Sequence, residues 1–294
     1  MIDFSAVTRA KSKARIAVTD PSGAGKTLSS LYLGYGIAGD WGKVALIDTE
    51  HERGRFYAQR SDLGTGSFLY APLTPPYSPD RYAEYVQSAA KAVGEDGVIV
   101  IDSFSHAWDN EGGVLDIKSQ IAQRSNKNDY SAWDEAGKIQ NKLVNTILSV
   151  PCHTIVTMRT KMAYAMEVNE KGKTVPVKIG LAPVQRDNTE YEFDICFQIG
   201  RDHIAVPSKD TTFLDKWSGI ITPELGRQLN EFLSQGAELP KCSCCGATIM
   251  SDGKRTVQQI IDGSVKNYGK QLCMKCVLKR VKAEKSDAAK SVSE

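Results

Sequence analysis

The stretch that decides the fold is Asp20-Pro21-Ser22-Gly23-Ala24-Gly25-Lys26-Thr27, which lies between the apolar residues 16–18 and an amphipathic segment beginning at Leu28. A strand, a glycine-rich turn and a helix in that order form a phosphate cradle, because the N–H groups of the turn and of the helix N-terminus point at the phosphates. Lys26 would reach the β- and γ-phosphates, and the Thr27 hydroxyl would hold Mg²⁺. We therefore predict that these eight residues and Leu28 bind a nucleotide.

One position departs from the pattern G-x-x-x-x-G-K-S/T, because Asp20 replaces the first glycine. A glycine permits an unusual backbone angle at the entry of the loop, and aspartate tolerates such angles better than most residues. Asp20 also brings a negative charge near the phosphates, so we expect it to affect nucleotide affinity more than the fold. The alternative interpretation is a glycine-rich turn with an incidental lysine.

Composition and charge are those of an ordinary soluble globular protein with a basic C-terminal end. The 294 residues are 41% hydrophobic and 24% charged, which allows a full α/β core and a small additional module. Residues 241–294 contain 11 Lys/Arg and 5 Asp/Glu, a net charge of +6, which leaves −4 for the remainder. The basic end is a candidate contact for nucleic acid, although a solvated tail is the commoner explanation.

The sequence indicates a cytoplasmic protein without a membrane segment. No apolar stretch approaches the ~18 residues of a membrane span, and residues 1–15 are polar and basic, unlike a secretory signal. Seven cysteines in a chain with a phosphate loop favour a reducing compartment, in which cysteines bind metal in preference to forming disulfides.

Strands and helices alternate along most of the chain, which implies a mainly parallel central sheet flanked by helices. Apolar runs predict strands at 16–18, 43–48, 67–70, 97–102, 154–158, 195–199 and 203–206. Helical spacing predicts helices at 27–38, 79–93 and 222–234, with a long helical segment at 103–149. Residues 161–186 are predicted to form a hairpin that turns at Lys171-Gly172. The predicted parts are an N-terminal arm (1–14), an α/β core (15–235), a cysteine-rich module (241–280) and a flexible tail (281–294).

Acidic side chains follow two of the predicted strands. Asp102 ends an apolar strand, and behind a phosphate loop such a carboxylate binds Mg²⁺ directly or through water. Glu50 comes two residues after another strand, where it can face the γ-phosphate and orient the attacking water. An exposed acidic loop is the alternative for Glu50, and Asp48 is its nearby competitor for the catalytic role.

The predicted strand at 154–158 carries polar residues that could sense the γ-phosphate. Thr157 and Arg159 are the candidates, because a polar group at this strand end would lie above the nucleotide. The alternative is that Arg159 and Lys161 are surface charges.

The hairpin is rich in lysines, at positions 161, 171, 173 and 178. With Arg186 they could line a channel for single-stranded nucleic acid, in which basic groups follow the phosphates and Tyr164 stacks on a base. A solvated charged hairpin is the alternative.

Four cysteines form two C-x-x-C pairs: Cys242, Cys245, Cys273 and Cys276. Four thiolates in two such pairs form a closed tetrahedral zinc site, which is structural and not catalytic. A module of about forty residues is too small for an adequate core, so the metal would supply folding energy. Cys244 is an alternative ligand, whereas Cys152 and Cys196 lie in apolar contexts typical of core residues.

The set of motifs resembles the RecA-type ATPase core, within the AAA-like P-loop NTPases. The motifs follow the phosphate loop in the order I-D-T-E-H (47–51), V-I-D-S (100–103) and V-T-M-R (156–159). Together with T-M-R-T-K (157–161), G-L-A-P-V-Q-R-D (180–187) and E-Y-E-F-D (190–194), they are most similar to the short phage RecA-core proteins of single-strand annealing and recombination. The resemblance covers about residues 14–215 and does not require the zinc ribbon.

This resemblance implies a DNA-dependent ATPase that binds single-stranded DNA and uses ATP and Mg²⁺ in a bacterial host cell. By position, Lys26 and Thr27 would bind phosphate and Mg²⁺, Glu50 would be the catalytic carboxylate, and Asp102 the second Mg²⁺ ligand. The loops after Asp102 and Lys161 would face DNA. The family further implies a homo-oligomer, ring or filament, with ATP between subunits, and Arg186 is our candidate for the basic residue that completes a neighbour's site.

Three other functions remain as alternatives. The first is a replication-associated ATPase or loader whose Zn²⁺ module binds a single-strand-binding or replication protein. The second is a nucleotide-binding switch with little turnover, which Asp20 makes conceivable. The third is a small-molecule kinase, which is the weakest alternative because nothing in the sequence suggests an acceptor site.

Overall fold

The computed structural model describes residues 8–125, 129–168, 174–249, 252 and 255–290. The chain divides into a larger unit, Ser12–Leu233, and a smaller unit that combines Met1–Lys11 with Ser234–Glu294. The nucleotide motifs fall in the larger unit and the cysteine pairs in the smaller.

The larger unit is an α/β domain, as the sequence predicts. Its strands are β1 (Arg15–Asp20), β2 (Val44–Asp48), β3 (Leu69–Pro72), β4 (Val98–Asp102), β5 (His153–Val168), β6 (Thr174–Pro183), β7 (Ile195–Ile199) and β8 (Ala205–Asp210). Its helices are α1 (Lys26–Ala38), α2 (Pro79–Val93), α3 (His106–Asp109), α4 (Val114–Ser125), α5 (Asp129–Ser149) and α6 (Pro223–Leu233).

The strands form a sheet in the order β3-β2-β4-β5-β1-β7-β8. The pairs from β3 to β7 are parallel, and β8 is antiparallel to β7. The register places Asp20 beside Arg159 and Asp48 beside Asp102. The carboxyl ends of these strands, where the predicted site residues lie, therefore meet at one edge of the sheet.

Side chains alternate between two hydrophobic cores, one on each face of the sheet. In β4, Val98 and Val100 join the core that contains α1 and α6, whereas Ile99 and Ile101 join the core that contains α2 and α5. A strand buried on both faces has to be apolar throughout, which is why the sequence signal at this strand is strong.

Helix ends and close packing follow from individual residues. The Ser78 side chain caps α2 by accepting the Arg81 N–H, and Pro79 occupies the first turn. A Cβ at Gly36 of α1 would clash with the Pro223 carbonyl oxygen. Only glycine therefore allows α1 and α6 to pack at this distance.

Strand β5 is much longer than the predicted 154–158. Its first half lies between β4 and β1, and its second half leaves that sheet to pair with β6, from Thr160 opposite Pro183 to Val168 opposite Thr174. The buried run of residues 153–158 ends where β5 leaves the main sheet, which is why the predicted strand ends at 158. The predicted turn at Lys171-Gly172 lies outside the described residues.

Some strands and helices begin or end at residues other than those predicted. Strands β3 and β8 each begin two residues later than predicted. In the smaller unit, α7 spans Val257–Tyr268 and α8 spans Met274–Lys290, so the helix continues into the segment predicted to be a flexible tail. Among the described residues, none of the helices combines the length and apolar character that crossing a membrane requires.

Candidate functional site

The phosphate loop joins the end of β1 to the start of α1. Gly23 and Gly25 have φ angles of 87° and 96°, in the left-handed region that glycine adopts without strain. Gly25 is the N-cap of α1, so the first N–H groups of the helix have no partner within the helix and face the phosphate loop. This is the strand–turn–helix geometry that binds anionic phosphate.

Asp20 is the last residue of β1, extended and buried, so the unusual backbone angle expected at this position is not used. Its Oδ2 accepts the Lys26 backbone N–H at 3.2 Å, and its Oδ1 forms a close ion pair with Lys26 Nζ. Burial raises the pKa of Asp20, an effect that its bonds with Lys26 partly offset. Asp20 thus already occupies two donors that a phosphate would use.

Asp102 ends β4 and is fully buried at the side of the phosphate loop. Its Oδ2 accepts from the Thr27 hydroxyl and its Oδ1 from the Thr157 hydroxyl, each at 2.5 Å. Burial raises the pKa of Asp102, and the two hydroxyl donors oppose that rise. The carboxylate and the Thr27 hydroxyl are the oxygen ligands that Mg²⁺ prefers, so the donor set fits the predicted metal.

The buried Thr157 hydroxyl donates to Asp102 Oδ1 and helps to hold that carboxylate in place. The bond follows from the strand pairing, which sets β4 directly beside β5. The role of Thr157 as a phosphate sensor stays a prediction.

Glu50 lies beyond the end of β2 and pairs with Arg159. Arg159 Nε donates to Oε1 at 3.0 Å and Nη2 donates to Oε2 at 2.7 Å. Burial alone would raise the pKa of Glu50, but the Arg159 guanidinium outweighs it and holds the pKa below its usual value. The negative charge of Glu50 in turn raises the pKa of both Asp20 and Asp102, so the three carboxylates share one electrostatic environment.

A buried histidine lies beside this carboxylate. His106 Nδ1 lies 2.6 Å from the Thr49 hydroxyl, and its Nε2 lies 3.9 Å from Glu50 Oε1. Burial, reinforced by Arg159, lowers the pKa of His106 to about 4, so the ring is neutral at physiological pH. The sequence alone indicates no role for this residue, because no spacing motif marks a histidine that follows the strand by four residues.

Asp48 does not compete with Glu50 for the nucleotide. Its carboxylate accepts the backbone N–H groups of Glu50 at 2.6 Å and Gly54 at 2.8 Å, and the Tyr70 hydroxyl at 3.0 Å. Asp48 therefore shapes the loop that presents Glu50.

Most of the residues predicted to bind the nucleotide lie together at the carboxyl ends of the parallel strands. Arg186 is not among them. Arg186 is exposed on the surface beside α5, where its Nη1 donates to Asn141 at 3.0 Å. The preceding Gln185 is buried and donates to the Phe104 carbonyl at 2.9 Å, which fixes this segment. The role of Arg186 toward a neighbouring subunit stays a prediction.

The smaller unit contains the predicted cysteine cluster. The sulfur atoms of Cys242, Cys245, Cys273 and Cys276 all lie within 4.8 Å of one another. The Cys245 and Cys273 sulfurs are 3.7 Å apart, close to the ~3.8 Å expected between two thiolates bound at about 2.3 Å to a tetrahedral zinc. The cluster can hold zinc, and exposed Cys244 lies outside it.

We expect the purified chain to contain about one zinc ion and to lose it when Cys273→Ser removes a ligand, because four thiolates form the closed site. Cys244→Ser is the matched control and should retain the metal. Elemental analysis of both variants measures the zinc content, and circular dichroism should show loss of helix in Cys273→Ser because α7 and α8 pack around the cluster. Equal zinc content in the two variants would contradict this ligand set.

Comparisons with known proteins address the larger unit. A family model described as an AAA domain matches residues 12–215. A search of the curated proteins finds no match. The matched range contains the phosphate loop and all three carboxylates of the site.

Proposed function

The chain belongs to the AAA domain family, and on that premise we propose that it hydrolyses ATP and acts on single-stranded DNA, in strand annealing or recombination. As a P-loop NTPase it uses a nucleotide with Mg²⁺. Its turnover of ATP, its DNA partner and the biological process it serves are the parts that we propose.

The observation that carries hydrolysis is that the charge of Glu50 acts on both Lys26 and Asp102, the residues expected to bind the phosphates and Mg²⁺. Lys26 would bind the β- and γ-phosphates, while Thr27 and Asp102 would hold Mg²⁺, which neutralises charge on those phosphates. Glu50 stays ionised because Arg159 lowers its pKa, so its carboxylate can accept a proton from the attacking water. Arg159 occupies both oxygens of Glu50 in this structure, so at least one of these bonds has to open for the carboxylate to reach the water.

The β5–β6 hairpin supports DNA as the partner. Lys161 is exposed on it, and Met162 and Leu181 pair across the two strands with 41% and 39% of their surface exposed. A basic group beside exposed apolar side chains suits a single strand, which presents both phosphates and unstacked bases. Arg159, which holds Glu50, lies two residues before Lys161, so DNA bound at the hairpin has a short path to the catalytic carboxylate.

We expect single-stranded DNA to stimulate ATP turnover several-fold, because contact at the hairpin would shift the Glu50–Arg159 pair. The measurement is steady-state ATP hydrolysis with and without an oligonucleotide over a series of salt concentrations. Stimulation should fall steeply as salt rises, since each phosphate contact adds about 0.7 to the log–log slope for a single strand.

Lys161→Ala should lower the stimulation and the salt slope, whereas Lys138→Ala, which removes an exposed lysine from α5, should change neither. Turnover that is the same with and without DNA would contradict the proposed partner. Turnover that requires a protein partner would favour the loader function, with the cysteine module as the adaptor.

A second candidate, a nucleotide-binding switch with little turnover, is favoured by the Asp20–Lys26 pair. This pair would limit both affinity and rate if it persisted in the presence of nucleotide. We further propose a homo-oligomer that binds ATP between subunits, with exposed Arg186 facing the neighbour. Sedimentation with and without ATP tests this, and a monomer under both conditions would exclude it.

A further inference from the structure

His203 lies against the phosphate loop from the β7–β8 side. It belongs to the turn between these strands, which internal bonds hold in place: the His203 N–H donates to the Gly200 carbonyl at 3.0 Å, and the Ile204 N–H donates to Asp202 Oδ1 at 3.1 Å. His203 itself has a φ of 64°. The ring is therefore presented by a braced turn on a strand adjacent to β1.

The contact with the loop fixes the proton on the ring. His203 Nδ1 lies 2.9 Å from the Ala24 carbonyl oxygen, which can only accept, so Nδ1 carries a hydrogen. A Cβ at Gly25 would lie 3.2 Å from the same nitrogen, tighter than ordinary van der Waals contact. In the neutral ring, Nε2 is then an acceptor for a ligand hydroxyl or amino group, and the ring face offers a stacking surface.

The topology indicates which part of a nucleotide would meet this ring. Strand β1 has β5 on one side and β7 on the other. Arg159, Asp102 and Glu50 all come from the β5 side, which therefore receives the γ-phosphate and its Mg²⁺. A polyphosphate that crosses the start of α1 with its γ end on that side has its nucleoside end on the side of β7 and β8.

We propose that His203 contacts the nucleoside of the bound nucleotide, through its ring face and Nε2, and thereby adds affinity that inorganic triphosphate does not gain. This inference rests on the proposed ATP site, because it uses the direction in which the phosphates lie. It assigns His203 to ligand binding and gives it no part in the chemistry of hydrolysis.

The test is equilibrium binding of ATP and of inorganic tripolyphosphate, each with Mg²⁺, to wild-type protein and two variants. His203→Ala should weaken ATP binding about tenfold, within the range for loss of a base-stacking side chain, and should leave tripolyphosphate binding within about twofold. His203→Phe, which keeps a ring face, should recover part of the ATP affinity. Arg201→Ala is the matched control from the same turn and should leave the ratio of the two affinities unchanged.

The outcomes separate this inference from the proposed function. If His203→Ala weakens the binding of ATP and of tripolyphosphate by the same factor, the ring only supports the phosphate loop. That result would overturn the nucleoside contact but would not contradict the phosphate site. The nucleoside contact is likewise excluded if wild-type protein binds tripolyphosphate as tightly as ATP. If it binds neither ligand, the ATP site itself is wrong and the inference fails with it.

Discussion

Glu50→Gln should lower ATP turnover by roughly 10²- to 10⁴-fold, the usual contribution of a positioned general base, while ATP binding changes by less than about threefold. The amide keeps the size of the side chain but cannot accept a proton from water. Steady-state hydrolysis and nucleotide titration of the same preparation measure the two quantities.

A neighbouring glutamate supplies the control. Glu52 lies in the same loop, is exposed and pairs with Arg55, so Glu52→Gln should hydrolyse ATP at the wild-type rate. If Glu50→Gln also keeps a rate within a few-fold of wild type, Glu50 is not the catalytic carboxylate. A loss of ATP binding as large as the loss of rate would instead indicate that Glu50 supports the structure of the site.

Replacing Asp20 should strengthen ATP binding. Asp20→Gly restores the usual pattern, and Asp20→Asn keeps the side-chain volume while removing the charge. We expect either change to raise ATP affinity between about tenfold and a hundredfold. The reason is electrostatic: a carboxylate about 5 Å from a phosphate charge costs about 3 kcal/mol at an effective dielectric constant of 20.

The pH dependence of ATP binding gives this prediction a second measurement. Because burial raises the pKa of Asp20, its carboxylate takes up a proton at a higher pH than an ordinary aspartate. Protonation removes the charge that holds Lys26, so wild-type affinity should rise as the pH falls through this raised pKa. The rise should be smaller in Asp20→Asn, whose side chain does not titrate. The same affinity and the same pH profile in wild type, Asp20→Gly and Asp20→Asn would show that Asp20 has no influence on nucleotide binding.

The two predictions also distinguish the candidate functions. If Asp20→Asn binds ATP more tightly and hydrolyses it faster, the protein is an ATPase whose rate the native aspartate limits. If it binds more tightly without faster turnover, the protein acts as a nucleotide-binding switch.

Much of the fold followed from local patterns. The parallel sheet was predictable because β2 and β4 are continuous apolar runs, and the start of α2 was marked by Pro79. The continuity of β5 was not, because the predicted strand at 154–158 and the first arm of the predicted hairpin at 161–186 form one strand that changes its pairing partner at Thr160. A change of partner within one strand leaves little trace in a local hydrophobic pattern.

The site shows the same division between motif residues and their partners. The phosphate loop, Glu50 and Asp102 were predictable because their spacing from strand ends carries the signal. Their partners were not, since the bonds from Arg159 to Glu50 and from His203 to Ala24 join residues more than 100 positions apart. The sequence also indicated that Asp20 bears a charge near phosphate, but not that this charge is already paired with Lys26.

Titration of the wild-type protein with ATP, once with Mg²⁺ and once with EDTA, shows most directly whether Lys26, Thr27 and Asp102 bind a nucleotide together with its metal. We predict saturable binding at one site per chain, at least tenfold weaker in EDTA and lost in Lys26→Ala. Absence of binding at millimolar ATP, or binding that neither EDTA nor Lys26→Ala weakens, would show that these residues do not form a nucleotide site.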